Sequence, residues 1–329
     1  MASITHRQVD ANGLSVHIAE IGEGPLVLFC HGFPESWYSW RHQLPAVADA
    51  GYHAVAMDMR GYGGTTQPGD IGAYTLNDLV GDTVGVVHAL GASTAVVVGH
   101  DWGAPVAWYS ALLRPDMFRA VAGLSVPYTA PFGALPDGVT LNDVMRMMAN
   151  GREYYRLYFQ EPGVADAELD ADPRHSVLGF MYTISGDIVA DGVHTSGWDG
   201  HFTNGERMVD QFVIPDHLPS WLTQDDLDHY VDEITRTGFF GGLNWYRNMN
   251  AIPAILAPFV GATIRQPSFY MGGELDMIAG NTPDAIEAMR QALPDLRHCE
   301  IIPQAGHWIQ QERPAQVTTA LVDFLRSLD

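Results

Sequence analysis

Runs of mostly apolar residues recur along the chain, and each run predicts a strand that is buried on both faces of a sheet. Helical patterns lie between them, at about residues 40–50 and at 76–90, and an amphipathic helix is predicted at 317–328. An alternating segment at 14–21 predicts an early edge strand. This order predicts a doubly wound, mostly parallel α/β sheet with right-handed crossovers. The apolar runs are Leu26–Cys30, His53–Met57, Ala95–Val98, Phe118–Leu124, Ser268–Met271 and His298–Ile302.

One long stretch, from about Phe132 to Pro253, does not follow this pattern. It is rich in Met, Tyr, Trp, Asp and Gly and has helical patches, but it contains no convincing buried strand. We therefore predict an α/β core, made of residues 1–134 and 254–329, that is interrupted by an inserted, mainly helical cap. The cap is residues 135–253, and we expect it to cover the strand ends.

The third apolar run leads into a sharp turn, Gly99-His100-Asp101-Trp102-Gly103, and a helical pattern follows. Strand, glycine-flanked turn and helix form the pattern of the nucleophile elbow, which usually carries serine at its apex. Here the apex residue is Asp101. A polar residue that merely caps the following helix is the alternative interpretation.

Aspartate at the apex changes the predicted chemistry. A carboxylate with an ordinary pKa of about 3.9 is already ionised at neutral pH, so it can displace a leaving group from a saturated carbon. The product is an ester on the enzyme, which water can cleave at the enzyme's own carbonyl carbon. Asp101 as nucleophile therefore predicts alkyl transfer followed by hydrolysis, with epoxides and haloalkanes as the obvious substrates.

Other candidate groups follow predicted strands, where ligands bind in open parallel sheets. The backbone N–H groups of Phe33, after the first run, and Trp102, after the nucleophile, would form an oxyanion hole. A plain Gly/Pro turn around Gly32 and Pro34 is the alternative.

An acid and a histidine complete the pattern. Either Glu274 or Asp276 could orient a histidine; we favour Asp276 because the preceding residues form the turn itself, and an exposed loop acid is the alternative. His307 follows the last strand and closes the order nucleophile, acid, histidine. We predict that His307 is the general base and that Asp276 fixes its tautomer.

With these motifs, the chain resembles a known family, the soluble type of epoxide hydrolases of the α/β-hydrolase fold. The resemblance implies an α/β-hydrolase fold and conversion of a small apolar epoxide to a vicinal diol, through a hydroxyalkyl ester on Asp101 that water activated by His307 hydrolyses. No cofactor or metal is implied. The segments that carry the resemblance are His31–Arg41, Asp58–Gly63, Gly99–Ala104 and Gly306–Pro314.

The resemblance also implies two cap tyrosines that hydrogen-bond the epoxide oxygen. A tyrosine pKa of about 10 keeps the O–H donor intact at neutral pH. The segment Leu243–Met249 indicates Tyr246. The segment Glu153–Phe159 offers three tyrosines, of which the family pattern selects Tyr155, while Tyr154 and Tyr158 are candidates for the core of the cap.

Three further residues, Pro34, Trp37 and Trp308, are predicted walls of an apolar substrate pocket. Trp102 would instead hold a departing halide if the chain were a haloalkane or haloacid dehalogenase on the same triad. A silent relative that only binds ligands, or a serine-type esterase, fits less well, because the triad is complete and carries Asp101 in place of serine.

Composition excludes several other classes. The formal net charge of −22 argues against nucleic acid and anionic membrane surfaces as partners. All 17 basic residues are arginine, so a P-loop lysine, a Schiff base and a lysine general base are excluded. No transmembrane stretch or signal peptide is predicted. We expect a cytoplasmic monomer or homodimer whose Cys30 and Cys299 are reduced and lie in buried strands.

Overall fold

The computed structural model describes residues 3–133 and 135–328. The strands in this part of the chain are β1 Thr5–Ala11, β2 Leu14–Ile21, β3 Leu26–Cys30, β4 His53–Met57, β5 Ala95–His100, β6 Phe118–Leu124, β7 Glu153–Tyr154, β8 His201–Phe202, β9 Ser268–Gly273 and β10 Leu296–Ile302. The α-helices are α1 Gln43–Asp49, α2 Leu76–Ala89, α3 Gly103–Leu113, α4 Leu141–Met148, α5 Tyr155–Tyr158, α6 Val164–Asp170, α7 Pro173–Thr183, α8 Asp187–Ala190, α9 Gln224–Thr237, α10 Phe240–Arg247, α11 Ile252–Leu256, α12 Pro283–Ala292, α13 Ile309–Glu312 and α14 Pro314–Arg326. Short 3₁₀ turns lie at Trp37–Trp40, Ile71–Tyr74, Met208–Gln211, Met249–Ala251 and Ala257–Phe259.

The main sheet has eight strands in the spatial order β1-β2-β4-β3-β5-β6-β9-β10. The β1–β2 and β2–β4 pairs are antiparallel and the remaining pairs are parallel. From β3 the chain first moves to one side, to β4, and then crosses to the other side, to β5. This change of direction opens a crevice at the carboxyl ends of β3 and β5, which is where ligands bind in such sheets.

The central strands are buried on both faces, as the apolar runs predict. In β3, Leu26, Leu28 and Cys30 belong to one apolar core, and Val27 and Phe29 belong to a second core on the other face. Helices α2 and α3 cover the first face, and α1 and α14 cover the second. The α/β-hydrolase fold with a mostly parallel, doubly wound sheet is therefore confirmed.

The first strand is the main difference from the predicted core. The sequence predicts β2 as the edge, but β1 pairs with it along its whole length and forms the edge itself. Most side chains of β1 are exposed, so the segment lacks the apolar pattern that would predict a strand. Cys299 is also different from the prediction, since it is only half-buried, whereas Cys30 is fully buried.

The cap is mainly helical, as predicted, although β7 and β8 form a two-stranded sheet that the sequence pattern does not indicate. Helix α9 begins with a capping box in which Thr223 and Asp226 satisfy each other's backbone N–H groups. Its buried residues Leu227, Tyr230 and Ile234 recur at helical spacing. The domain boundaries at 134/135 and 253/254 stay predictions, and residue 134 lies outside the described residues. Within the described part, no helix is long and apolar enough to cross a membrane.

Candidate active site

The site is assembled at the carboxyl ends of five neighbouring strands. In their spatial order, β3, β5, β6, β9 and β10 are followed by one site residue each. Because parallel strands end at the same edge of the sheet, residues far apart in the chain meet there. These residues are Phe33, Asp101, Ser125, Asp276 and His307.

Asp101 occupies the apex of the turn between β5 and α3. Its backbone has a φ of 49°, in the left-handed region that favours glycine, so the apex is strained. The turn can close only because Gly99 and Gly103, two residues before and after Asp101, have no side chains. A Cβ on Gly99 would overlap the carbonyl of Gly103, and a Cβ on Gly103 would overlap the carbonyl of Cys30. The glycines on either side are therefore a steric requirement of the elbow.

The two oxygens of the Asp101 carboxylate have different partners. The backbone N–H of Phe33 donates a hydrogen bond of 2.8 Å to Oδ1. Oδ2 lies 3.5 Å from Nε2 of His307. The predicted Phe33 donor therefore contacts the Asp101 carboxylate, while Trp102, the other predicted donor, immediately precedes helix α3.

His307 is oriented from its other ring nitrogen. Nδ1 lies 3.0 Å from Oδ2 of Asp276 and 3.1 Å from Oγ of Ser125. The Ser125 hydroxyl donates to the same Asp276 oxygen at 2.6 Å. A carboxylate next to Nδ1 requires Nδ1 to be the donor, so Nε2 is the nitrogen presented to Asp101. The structure brings the sequence-predicted Asp101, His307 and Asp276 together.

Electrostatics favour a charged histidine in the resting site. Burial lowers the pKa of His307, but the charges of Asp276 and Asp101 outweigh burial and raise the pKa to about 9. Burial likewise opposes ionisation of Asp276, but the charge and hydrogen bond of His307 hold the pKa of Asp276 below its usual value. The raised pKa of His307 therefore favours an imidazolium at neutral pH.

The two tyrosines come from the cap. Tyr246 packs edge-to-face against Trp102, with ring centroids 5.1 Å apart, and against Phe33, at 5.4 Å. The ring of Tyr155 lies 6.0 Å from that of Tyr246. Gln160 joins the two segments, because its side-chain amide donates to the backbone carbonyls of both Arg156 and Tyr246. Burial raises the pKa of both tyrosines, so both hydroxyls keep their protons.

A cavity of about 280 Å³ lies beside Asp101 and Tyr246, and Tyr155 is not among the described residues that line it. Asp101, Trp102, Arg156 and Tyr246 contribute its polar side. A wider groove of about 780 Å³ on the outer surface, near Arg297, contains none of the site residues, so the cavity at Asp101 is the candidate substrate site. The apolar wall of this cavity includes Pro105, Val126, Phe132, Leu141, Met249 and Ile252.

The three predicted pocket walls lie elsewhere. The ring of Trp37 packs on those of His6 and His229, with centroids 4.7 and 5.9 Å apart, and its backbone N–H donates to Asp58, which follows β4. Trp308 is fully buried behind His307, at 4.6 Å. Pro34, which follows Phe33 through a cis peptide bond, is buried as well. None of the three is among the described residues that line the cavity.

Comparisons with known proteins show which family the chain belongs to. The sequence pattern of the alpha/beta hydrolase fold family matches residues 25–314. The chain is 43% identical to epoxide hydrolase A of Mycobacterium tuberculosis, over 100% of this chain and 99% of that protein. The solved epoxide hydrolase from an endophytic Streptomyces is 45% identical, with a TM-score of 0.92 over 99% of this chain and 96% of that one. The chain belongs to the epoxide hydrolases of the α/β-hydrolase family.

A second solved member, epoxide hydrolase A from Mycobacterium thermoresistibile, is 42% identical and has a TM-score of 0.89, with 99% of each chain covered. The likeness therefore spans core and cap together, rather than the common hydrolase core alone.

The epoxide hydrolase site also contains a buried contact between a histidine and a glutamate that the sequence does not predict. Nδ1 of His100 lies 2.7 Å from Glu35, and Nε2 lies 2.8 Å from the backbone carbonyl of His307. Each ring nitrogen of His100 therefore faces a hydrogen-bond acceptor. Glu35 in turn accepts from the backbone N–H of Gly32 and from the side chains of Gln310 and Gln311. The contacts of Glu35 and His100 thus connect the loop after β3, the elbow and the loop that carries His307.

Ser125 was also missed, although a signal exists. It directly follows the predicted strand Phe118–Leu124, at the edge of the sheet where the other site residues lie. Its φ of 69° and full burial distinguish it from an ordinary loop serine. The hydroxyl helps to fix Asp276 and thereby His307.

Proposed function

We propose that this enzyme converts an epoxide to a vicinal diol through a covalent ester on Asp101. The proposal is based on the different partners of the two Asp101 carboxylate oxygens: the Phe33 N–H donates to one, and His307 faces the other. Both tyrosines are buried, Tyr246 lines the same cavity, and the ring of Tyr155 lies 6.0 Å from that of Tyr246. The relatives' names, epoxide hydrolases, support the substrate class, and the apolar cavity wall supports a small apolar epoxide.

In the first step, Oδ2 of Asp101 attacks a ring carbon. The bond between that carbon and the ring oxygen breaks, and the oxygen takes a proton from a tyrosine hydroxyl, since an unprotonated alkoxide is a poor leaving group. Tyr155 and Tyr246 are the proposed donors. The imidazolium of His307 then returns a proton to the tyrosine that gave its own to the ring oxygen.

In the second step, His307 activates water. Esterification removes the negative charge of Asp101, which is one of the charges that raise the pKa of His307. The pKa therefore falls after the first step, and His307 becomes a base at the stage where a base is required. Water adds to the ester carbonyl carbon, and the Phe33 and Trp102 N–H groups stabilise the oxyanion, at roughly 3 kcal/mol per donor.

The tyrosine pair distinguishes this proposal from haloalkane dehalogenation. A departing halide needs no proton, so two buried hydroxyls over the nucleophile have no purpose in that reaction. Trp102, which borders the cavity, is the group that would serve a halide.

The test is a single turnover in ¹⁸O-water with excess enzyme and an aryl epoxide. We expect unlabelled diol and one ¹⁸O in the peptide that contains Asp101, because the diol oxygen comes from the carboxylate. Multiple turnovers in the same water serve as the control and should label the diol. Labelled diol after one turnover would mean direct attack by water. No diol, with halide released from a panel of haloalkanes, would mean a dehalogenase.

A further inference from the structure

Arg156 stands next to the first cap tyrosine and borders the cavity. Its Nε donates a hydrogen bond of 2.8 Å to the hydroxyl of Tyr155. Its Nη2 donates at 3.3 Å to the backbone carbonyl of Ile278, in the loop that also carries Asp276. The guanidinium therefore connects the cap tyrosine with the acid loop of the core.

Arg156 differs from the other inward-facing arginines, which have carboxylate partners. Arg60 pairs with Asp82 at 2.6 Å, and Arg41 pairs with Asp226 at 2.9 Å. Within the described residues, no carboxylate lies within 4.0 Å of Arg156, although the chain has 39 acidic residues and 17 basic ones. A half-buried cation beside the cavity without an anion is costly unless negative charge develops near it during the reaction.

The direction of the hydrogen bond fixes the Tyr155 proton. A guanidinium can only donate, so Arg156 takes a lone pair of the Tyr155 oxygen and leaves the O–H to point at a different acceptor. After proton transfer the same contact becomes a charge-assisted hydrogen bond to a phenolate, which is stronger than the bond to the neutral hydroxyl. Arg156 therefore interacts better with the product of proton transfer than with the starting state.

Among the residues that the structure describes, no arginine donates a hydrogen bond to the Tyr246 hydroxyl, whereas Arg156 donates to that of Tyr155. Burial raises the pKa of both tyrosines, but the charge and hydrogen bond of Arg156 counteract this rise at Tyr155. The charge of Asp101 raises the pKa of both tyrosines and the charge of Arg156 lowers the pKa of both, but only Tyr155 also accepts a hydrogen bond from Arg156. The two hydroxyls are thus chemically unequal.

We propose that Arg156 positions Tyr155 and makes it the proton donor of the pair, while Tyr246 only donates a hydrogen bond and keeps its proton. This rests on the proposed epoxide hydrolysis. When the carbon–oxygen bond breaks, its electron pair moves to the ring oxygen, which takes the Tyr155 proton. Tyr155 is left as a phenolate beside Arg156 and regains a proton from the His307 imidazolium as the second step begins.

The test compares Arg156→Gln and Arg156→Lys with Arg152→Gln, a matched control. Arg152 lies in the same cap segment but pairs with the exposed Asp199. Single-turnover experiments give separate rates for ester formation and ester hydrolysis. The ester is followed as a covalent adduct by mass spectrometry of the intact protein. We expect Arg156→Gln to slow ester formation about 10- to 100-fold and to leave ester hydrolysis within about twofold. Arg156→Lys, which keeps the charge, should recover part of this loss.

Double variants identify the partner. In a Tyr155→Phe background, Arg156→Gln should slow ester formation by less than about twofold. In a Tyr246→Phe background it should slow ester formation by the full factor of about 10- to 100-fold, because Arg156 acts through the Tyr155 hydroxyl. The loss should also be smaller for an epoxide with a trifluoromethyl group, whose ring oxygen needs a proton less.

Each result decides the matter. Equal losses in the two tyrosine backgrounds, equal losses in both steps, or wild-type rates in both Arg156 variants would overturn the proposal for Arg156. If both Arg156 variants lost their near-ultraviolet circular dichroism, the role would be structural and the proposal would also fall. A wild-type enzyme that makes no diol would overturn the proposed function itself, which is a separate outcome.

Discussion

The core and the cap hold their site residues in different ways. In the core, His307 and Asp276 are fixed by hydrogen bonds of 2.6–3.1 Å within a group that includes Ser125. In the cap, Tyr246 is held mainly by packing of aromatic rings. In the proposed mechanism, the core thus orients the groups that hydrolyse the ester, and the cap places the groups that help to form it. The two halves of the site should therefore fail separately.

Removing the nucleophile should break both halves at once. Asp101→Ala removes the carboxylate that forms the ester in the first step and is regenerated in the second. We therefore expect turnover to fall by about 10⁴-fold or more. Chromatography of the diol measures this, with circular dichroism as the check on folding. Diol formation at a wild-type rate would exclude Asp101 as nucleophile.

Breaking only the core side should trap the ester. His307→Gln leaves Asp101 and the tyrosines in place, so ester formation continues while steady-state turnover falls by about 10³-fold or more. Intact mass should show the enzyme plus one substrate molecule, which wild type does not accumulate. If no adduct forms while substrate is still bound, His307 is needed earlier than we propose.

Breaking only the cap side should slow the first step alone. Tyr246→Phe removes one donor to the ring oxygen, and we expect ester formation to slow by about 10²-fold with ester hydrolysis unchanged. Tyr158→Phe is the matched control, because that hydroxyl binds Glu168 within the cap. Equal effects of the two substitutions would show that the loss arises from damage to the cap rather than from the donor.

The smallest effect concerns the joint between the halves. Glu312 accepts from the backbone N–H groups of Gly306 and Trp308 in the core and of Gly186 in the cap, and burial raises its pKa to about 7. The folded state therefore binds a proton more tightly than the unfolded chain, whose Glu pKa is near its ordinary value of about 4.3.

This sign sets the pH window. The contribution of the protonated Glu312 to stability is lost as the pH rises from about 4.3 to about 7. Across this window, the unfolding free energy of wild type should fall by about 1–3 kcal/mol relative to Glu312→Gln, and the difference should be constant above pH 8. Urea unfolding at a series of pH values measures it. A difference independent of pH would mean that Glu312 is ionised throughout.

The same contrast explains what the sequence could predict. Asp101, Asp276 and His307 could be placed because each follows an apolar strand of the parallel sheet, so their meeting point is fixed by sheet geometry. Tyr155 could be selected only through the family resemblance, because three tyrosines lie within five residues and no periodicity separates them.

What the sequence could not predict depends on contacts between distant segments. Glu35 and His100 lie in recognised motifs, but their pairing with each other and with the His307 loop is visible only in three dimensions. Trp37 has the composition of a pocket wall, yet the turn after β3 directs it to His6 and His229. Apolar character alone therefore does not tell a wall of the cavity from the core beside it.

In the proposed mechanism, the different partners of the two Asp101 oxygens should make the enzyme retain an oxygen isotope from one catalytic cycle to the next. Phe33 N–H holds Oδ1, so the oxygen that attacks, and that later leaves in the diol, should always be Oδ2. Each water molecule would then supply the oxygen not of the current diol but of the next one. Enzyme charged with heavy oxygen in one cycle should release all of it in the following cycle. Any label that persisted longer would measure how often the carboxylate rotates.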